Sequence, residues 1–386
     1  MKNAPKRRTV RILHLGDLHL DSPFSRLRPE KSEERRRELR ETFEKAIAYA
    51  RDEAVDIILA AGDLFDSEYV TPATAKKLMD GFASCPDARV FISPGNHDPY
   101  KKGGAYDAAR LPRNVHVFTE PRLTAVDIPE WNVWVYGWGF TSDRLEEPLL
   151  SGQHVEDPNA LNLLCAHADV GVPISKYAPV PLSDIAAFGA DYAGFAHRHI
   201  PTEMLDAGGG AKYAYCGCIE GRSFDEPGRG GAYLIVATPN GEDEGYSLRA
   251  ERLALAARRY EVAQLDLTGV SENTEAAKRL KALIKKNEYG SDTFLRVVFT
   301  GATPPDFRVP QSADGEMLGL YDLEIVDRTS PTYDAEALEK DLTVRGELYR
   351  YLLPRLTEGS PEERATAARA LRIGLAALEG GDIAEL

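Results

Sequence analysis

Apolar positions along this chain come in short blocks, each of which stops at a polar group capable of chemistry. Residues 9–15 alternate and then run apolar until Gly16-Asp17 breaks them, as a strand feeding a loop does. Over 32–52, Leu39, Phe43, Ile47 and Ala50 recur at three- or four-residue spacing and predict an amphipathic helix. The run Glu33, Glu34, Arg35, Arg36, Arg37 reads as its solvated face. Residues 55–61 form a continuous apolar run of the buried parallel-strand kind, closed by Gly62-Asp63. Thr71 followed by Pro72 predicts a helix cap and first turn, with Leu78 and Phe82 on the core face. Strand-like blocks at 90–93, 161–166 and 192–196 repeat the design, and a histidine, aspartate or asparagine follows each one.

Residues 123–127 and 132–138 are rich in aromatic and β-branched side chains and predict a hairpin. Further strands are expected at 213–216, 232–236 and 246–253. The expected fold class over 9–255, behind a basic tail at 1–8, is α/β: two sheets packed as a sandwich and flanked by helices. Residues 256–259 read as a passage into a second unit, in which a strand (260–267), a helix (274–286) and a strand (293–300) predict a small α+β domain over 259–329. Helices expected at 334–353 and 361–378 make 330–386 a helical docking segment.

The length of 386 residues accommodates two or three domains. Lysine and arginine number 47 against 61 aspartates and glutamates, a net charge of −14, which excludes a uniformly basic DNA-coating protein. Residues 1–51 reverse the balance, with 14 basic against 8 acidic side chains. A polyanion must therefore be met locally, by basic patches or metal ions. Cys85, Cys165, Cys216 and Cys218 are too few and scattered for a disulfide framework, so a reducing cytoplasm is expected, and Cys216-Gly-Cys218 lacks redox or metal-knuckle spacing, so that pair reads as inert small residues near a strand end. No apolar run approaches the roughly 18 to 20 residues of a membrane span, so no membrane partner is expected.

Five of the eight histidines stand in short motifs at predicted strand ends: Asp17-Leu-His19, Gly95-Asn96-His97-Asp98, Ala166-His167-Ala168 and His197-Arg-His199, with Gly62-Asp63 between the first two. In Asp-x-His and His-x-His, alternate side chains of an extended segment point the same way and can share one ion. Imidazole, carboxylate and carboxamide ligands suit manganese, iron or zinc rather than calcium or a thiolate zinc site. Seven groups, Asp17, His19, Asp63, Asn96, His167, His197 and His199, exceed what one ion accepts while keeping positions open for solvent, which implies two ions with Asp63 bridging them.

In this order the blocks resemble the calcineurin-like metallophosphoesterase superfamily across roughly residues 10–200. Phe195-Ala196 departs from the glycine usual one position before the His-x-His pair. His14-Leu-Gly-Asp17-Leu-His19-Leu-Asp21, Ala61-Gly-Asp63-Leu-Phe-Asp66 and Pro94-Gly-Asn96-His97-Asp98 are similar to the bacterial SbcD-type DNA repair exonucleases, including the YhaO-like branch. Asp66 stands where archaeal and eukaryotic relatives often carry histidine.

The resemblance implies that Asp17, His19, Asp63 and His199 hold one divalent ion and Asp63, Asn96, His167 and His197 the other. Manganese is the first choice, with iron or zinc as alternatives. It further implies that His97 stabilises the transition state or protonates the leaving oxygen and that Asp98 orients it from behind. The activity implied is exonucleolytic hydrolysis at DNA ends, double- or single-stranded. A homodimer and an SbcC-type coiled-coil ATPase gripped by the C-terminal helices come with it. Two other functions compete: hydrolysis of small nucleotides or other phosphoesters, and a catalytically silent scaffold, against which the intact ligand set and His97 argue. His14 reads as packed or supporting a ligand, His116 and His154 as surface or strand residues, and Trp131, Trp134 and Trp138 as core. Arg222 reads equally as a phosphate contact or a turn salt bridge.

Overall fold

The structure, a computed structural model, describes residues 7–67, 70–108, 110–241, 245–304, 307–310 and 314–378. They fall into two compact units, one running to Tyr260 and one from Glu261. In chain order the first contains β1 (Val10–Leu15), α1 (Pro29–Asp52), β2 (Ile57–Ala60), α2 (Pro72–Ala83), β3 (Arg89–Ile92), α3 (Ala105–Ala108) and β4 (Val115–Val117). There follow β5 (Thr124–Ile128), β6 (Val133–Gly137), β7 (Leu161–His167), β8 (Asp169–Val170), β9 (Pro179–Val180) and α4 (Leu182–Phe188). It ends with β10 (Tyr192–Ala196), β11 (Leu205–Gly208), β12 (Ala211–Tyr215), β13 (Gly228–Pro239) and most of β14 (Tyr246–Asp266).

The expected two-sheet α/β sandwich is the fold observed. One sheet runs β14-β13-β1-β2-β3-β4 and the other β11-β12-β10-β7-β6-β5. Side-chain alternation builds three layers of core. Val10 and Ile12 of β1, Ile57 and Leu59 of β2, and Leu161, Leu163 and Cys165 of β7 point between the sheets. Leu13 and Leu15 point the opposite way onto Leu39 and Phe43 of α1 and Leu78 and Phe82 of α2. Leu164, Ala193 and Phe195 cover the outer face of the second sheet with Trp138, Phe140 and Phe188. Strands buried on both faces need continuous apolar sequence, which these have. β1, β2 and β3 are mutually parallel, as are β6, β7 and β10, so in each sheet the carboxyl ends of the strands gather on one edge.

The second unit holds α5 (Asn273–Lys286), β15 (Thr293–Thr300), β16 (Ala302–Thr303), β17 (Asp322–Asp327), β18 (Ser330–Pro331), α6 (Ala335–Lys340), α7 (Val344–Thr357) and α8 (Pro361–Leu378). β15 and β17 pair in parallel over a core of Leu280, Ile284, Leu295, Val297 and Phe299. Tyr349 and Leu352 of α7 pack on Leu371 and Leu375 of α8. No helix among the described residues is long and apolar enough to cross a membrane.

Three sequence expectations are overturned. Arg35 is fully buried, not solvated: it lies one turn before Leu39 on the core stripe and meets Glu38, Glu220 Oε1 at 2.8 Å and the Gly221 carbonyl at 2.8 Å. The strands expected at 246–253 and 260–267 are one, because β14 runs for 21 residues, and the passage at 256–259 lies within it, just before the first unit ends at Tyr260. The helix expected over 334–353 breaks after Lys340, where the Asp341 carboxylate accepts from Thr343 N at 2.7 Å and Thr343 caps α7.

Candidate metal centre

Five loops leave the carboxyl ends of β1, β2, β3, β7 and β10, the edge of an open α/β sheet where ligands bind. The first two run side by side: Asp17 N donates to Gly62 O at 2.9 Å, His19 N to Asp63 O at 2.9 Å and Leu20 N to Leu64 O at 3.0 Å. Asp17 (φ 45), His19 (φ 44), Asp63 (φ 48) and His197 (φ 106) all sit in the left-handed region. Aspartate, asparagine and histidine tolerate that region better than most residues, and such strain clusters at functional sites. Gly95 allows the close approach of two loops, since a Cβ there would stand 2.2 Å from Asp63 Oδ1. Gly62, at φ +98, is excluded from carrying a side chain twice over: a Cβ would also lie 2.6 Å from Ser93 O.

All seven ligand groups expected from the sequence converge here. On one side His19 Nε2 and His199 Nε2 stand 3.2 Å apart, and Asp17 completes a cluster with them. On the other, His167 Nε2 lies 3.0 Å from Asn96 Oδ1 and 3.2 Å from His197 Nδ1. Asp63 Oδ2 reaches both, 3.8 Å from His19 Nε2 and 3.4 Å from His167 Nε2. Asp17 also lies between them, clustering with Asp63 and His167 and accepting from His197 N at 3.2 Å.

The donor set fits divalent cations. His167 Nδ1 donates to Ala61 O at 3.1 Å, which leaves a lone pair on Nε2, and that lone pair faces the Asp63 carboxylate. Glu226 Oε1 lies 2.7 Å from His199 Nδ1 and accepts from it, which fixes a proton on Nδ1 and leaves Nε2 as the nitrogen that faces His19 and would ligate an ion. Arg222 Nη2 is 3.1 Å from the same Nδ1, but it is committed to Glu226 at 2.7 Å. Acceptors facing acceptors in a buried site repel unless positive charge lies among them.

Burial sets the protonation of the metal-free site. It pushes the Asp17 carboxyl up to about 7 and that of Asp63 up to about 6, and the two charges reinforce the effect at Asp17. Burial pushes His167 and His197 down to about 3 and His19 well below its ordinary value, so these imidazoles are neutral ligands at neutral pH.

His97 is exposed beside the cluster; its backbone N–H donates to Asp63 Oδ1 at 2.9 Å and its ring Nδ1 donates to the Asp66 carbonyl at 3.0 Å. Asp98 does not orient it as expected. The Asp98 carboxylate accepts instead from Asp63 N (3.1 Å), Leu64 N (2.7 Å), Gly95 N (2.7 Å) and the Tyr106 hydroxyl (2.5 Å), binding the second and third loops together. Arg222 is a salt-bridge residue within the site, between Asp66 at 3.2 Å and Glu226 at 2.7 Å. His14 is buried behind the loops, its Nδ1 2.9 Å from the Tyr192 hydroxyl, whereas His116 packs on Phe118 and His154 Nδ1 donates to Ala187 O, both outside the cluster. Trp138 is core, with Nε1 donating to His167 O at 3.3 Å; Trp131 and Trp134 are half-buried in the packing. The thiols are all free and buried. Sequence reasoning missed Glu226 and Tyr106 as parts of the site and noted Asp66 only as a motif position; for Glu226 the four-residue step from Arg222 was the available signal.

Curated relatives and a protein family match this chain. A metallophosphoesterase of Bacillus subtilis strain 168 that bears the name uncharacterized metallophosphoesterase YhaO is 28% identical over 313 residues, covering 76% of this chain and 72% of the relative. The DNA double-strand break repair protein Mre11 of Aeropyrum pernix is 26% identical over 243 residues, 58% of this chain and 57% of the relative. That of Haloferax volcanii is 27% identical over 271 residues, 67% of this chain and 55% of the relative. The chain thus spans little more than half the length of the two Mre11 proteins. The calcineurin-like phosphoesterase family matches residues 10–213, a stretch that contains all five converging loops and more than half of the sequence, and the chain belongs to that family of phosphoester hydrolases.

Proposed function

We propose that this protein is a dinuclear-metal-dependent phosphodiesterase that degrades DNA from its ends. The observation that carries the reading is an exposed imidazole, His97, anchored at the rim of a buried set of convergent metal-ligand atoms. Asp17, His19 and His199 would hold one ion and Asn96, His167 and His197 the other, with Asp63 between them; manganese is the ion we favour. When bound, such a pair supplies a hydroxide nucleophile at neutral pH and positive charge against the phosphate oxygens. The Asp66 carbonyl fixes the proton of His97 on Nδ1, so Nε2 is the atom that faces a substrate and, once protonated, gives its proton to the leaving oxygen. Asp98 and Tyr106 hold the loops that carry Asp63, Asn96 and His97 in one arrangement, so the charged groups need no reorganisation during the reaction.

DNA as the substrate is supported by the two relatives named for double-strand break repair. The YhaO and Haloferax volcanii matches cover 76% and 67% of the chain and therefore extend beyond residue 213, outside the family stretch. A homodimer and a coiled-coil ATPase partner belong to the same reading. The exposed Leu342, Val344 and Tyr351, which open or line α7, offer that partner an apolar face. With Mn²⁺, the purified protein is expected to shorten linear duplex or single-stranded DNA and to spare closed circular DNA. Intact linear DNA beside rapid hydrolysis of cyclic or free nucleotides would assign it to small phosphoesters instead.

A further inference from the structure

Each of the four ligand histidines turns one ring nitrogen into the centre and the other away from it, and the partner of the outward nitrogen differs between the two sides. For His167 it is a neutral carbonyl, and for His197 a carboxylate that no arginine among the described residues joins to the His167 side. His167 Nδ1 meets the Ala61 carbonyl at 3.1 Å, and His197 Nε2 is 3.6 Å from Asp169 Oδ1, a carboxylate that also accepts from the Ser175 hydroxyl at 2.6 Å. Around His19 and His199 the partner is charged. Glu226 Oε1 lies 2.7 Å from His199 Nδ1, and Asp66 Oδ1 lies 3.3 Å from His19 Nδ1, a buried atom with no aligned hydrogen bond.

One side chain joins these two carboxylates. Arg222 places Nη1 3.2 Å from Asp66 Oδ1 and Nη2 2.7 Å from Glu226 Oε1, and its backbone N–H donates to Glu226 Oε2 at 2.7 Å. Its carbonyl accepts from the Tyr260 hydroxyl at 3.1 Å, which fixes the backbone from the opposite side. Glu226 is almost fully buried and Arg222 largely so, whereas Asp66 is partly open to solvent.

We propose that Asp66, Arg222 and Glu226 form one positioning unit, which orients His19 and His199 and makes the ion position they share with Asp17 the tighter of the two. A carboxylate on the far N–H of a ligand imidazole fixes its tautomer and ring orientation and raises its basicity, and losing such a partner costs about 10- to 100-fold in metal affinity. A backbone carbonyl orients a ring without adding negative charge, so the His167 side gains less. Arg222 places one cation against both carboxylates in a confined space. It also makes Asp66 an orienting group rather than a ligand, because a cation on Asp66 would stand against the guanidinium.

The inference rests on the dinuclear reading above, and a titration separates the two. Metal-free full-length protein is titrated with Mn²⁺ alone and followed by calorimetry and by loss of the aqueous Mn²⁺ resonance signal. Wild type is expected to bind two ions in two steps; a chain binding none or one rejects the dinuclear reading itself. Glu226→Gln should weaken the tighter step about 10- to 100-fold while the weaker step stays within about threefold. Asp66→Asn should weaken the same step by less, in keeping with its longer, poorly aligned contact. Equal weakening of both steps, or no change in either, overturns the proposal. Complete loss of one ion in Asp66→Asn overturns it too, since Asp66 would then be a ligand. Thermal unfolding without Mn²⁺ checks each variant's fold, and the partly exposed Asp66→Asn carries the test should Glu226→Gln not fold.

Discussion

The bodies of β1, β2, β3, β7 and β10 and the innermost residues at their carboxyl ends are equally shut away from water, yet they are built on opposite chemistry. In the strand bodies nearly every buried side chain is apolar and faces another apolar layer, and each large one contributes about 1.5–3 kcal/mol to folding. In the loops Asp17, His19, Asp63, Asp98 and His167 are as deeply buried as the core leucines. Their backbone is left-handed at Asp17, His19 and Asp63, at a cost of the order of 1–3 kcal/mol each. The sandwich therefore stabilises a site that resists folding, and bound cations would relieve its crowded carboxylates.

The largest effect expected from breaking this division belongs to the loops. His97→Ala should lower turnover of bis-p-nitrophenyl phosphate by about 10²- to 10⁴-fold while Mn²⁺ binding stays within twofold. Retained turnover would remove His97 from the chemistry. In the strand bodies, Leu163→Ala should cost about 2–5 kcal/mol in urea unfolding, by the same amount with and without Mn²⁺, because a cavity between the sheets is indifferent to the site. A loss that depends on metal would show the two regions to be coupled.

Asp63→Asn should act in the opposite sense on stability. The Asp63 carboxyl is raised in the folded state, so its ionised form costs stability that grows as pH rises from about 4 through about 6. The amide removes that cost and still accepts from His97 N. The metal-free variant is therefore expected to be more stable than wild type by about 1–3 kcal/mol at pH 8, and to bind Mn²⁺ poorly. A less stable variant would mean that Asp63 is not under electrostatic strain.

Metal uptake should release protons below pH 7. Asp17 and Asp63, raised to about 7 and 6, are partly protonated at pH 6.5, and His199 is raised as well, since Glu226 and Asp17 together outweigh the lowering by burial. His167 and His197 are already neutral. Calorimetry in buffers of different ionisation enthalpy should show release of about one to two protons at pH 6.5 and almost none at pH 8.5. Release that does not change with pH would contradict the raised carboxyls. The smallest effect is expected at the surface: losing the exposed Lys76–Asp80 pair in Lys76→Ala should change stability by less than about 1 kcal/mol.

The sandwich and the donor atoms were legible in the sequence for one reason: an apolar strand that ends abruptly in Asp-x-His or Asn-His is a local pattern. The edges of β1, β2, β3, β7 and β10 fell within two residues because the burial period and the polar stop coincide, whereas β13 and β14, which no such stop ends, run well past the expected 232–236 and 246–253. What was not legible depends on distant partners. Arg35 reads as part of a charged run, and its burial follows from Glu220, 185 residues away. The role of Asp98 was misread because its partners are backbone N–H groups and Tyr106, which leave no spacing signature. The continuity of β14 through Arg258 and Arg259 likewise rests on distant partners. Arg258 meets Glu34 at 3.2 Å and Glu38 at 2.5 Å.

Diffraction from Mn²⁺-soaked crystals at the manganese absorption edge tests the dinuclear centre most directly. Two anomalous peaks are expected, one among Asp17, His19 and His199 and one among Asn96, His167 and His197, with the Asp63 carboxylate touching both. A single peak remote from Asp63, or none at saturating Mn²⁺ with the four imidazoles still converging, would contradict the account.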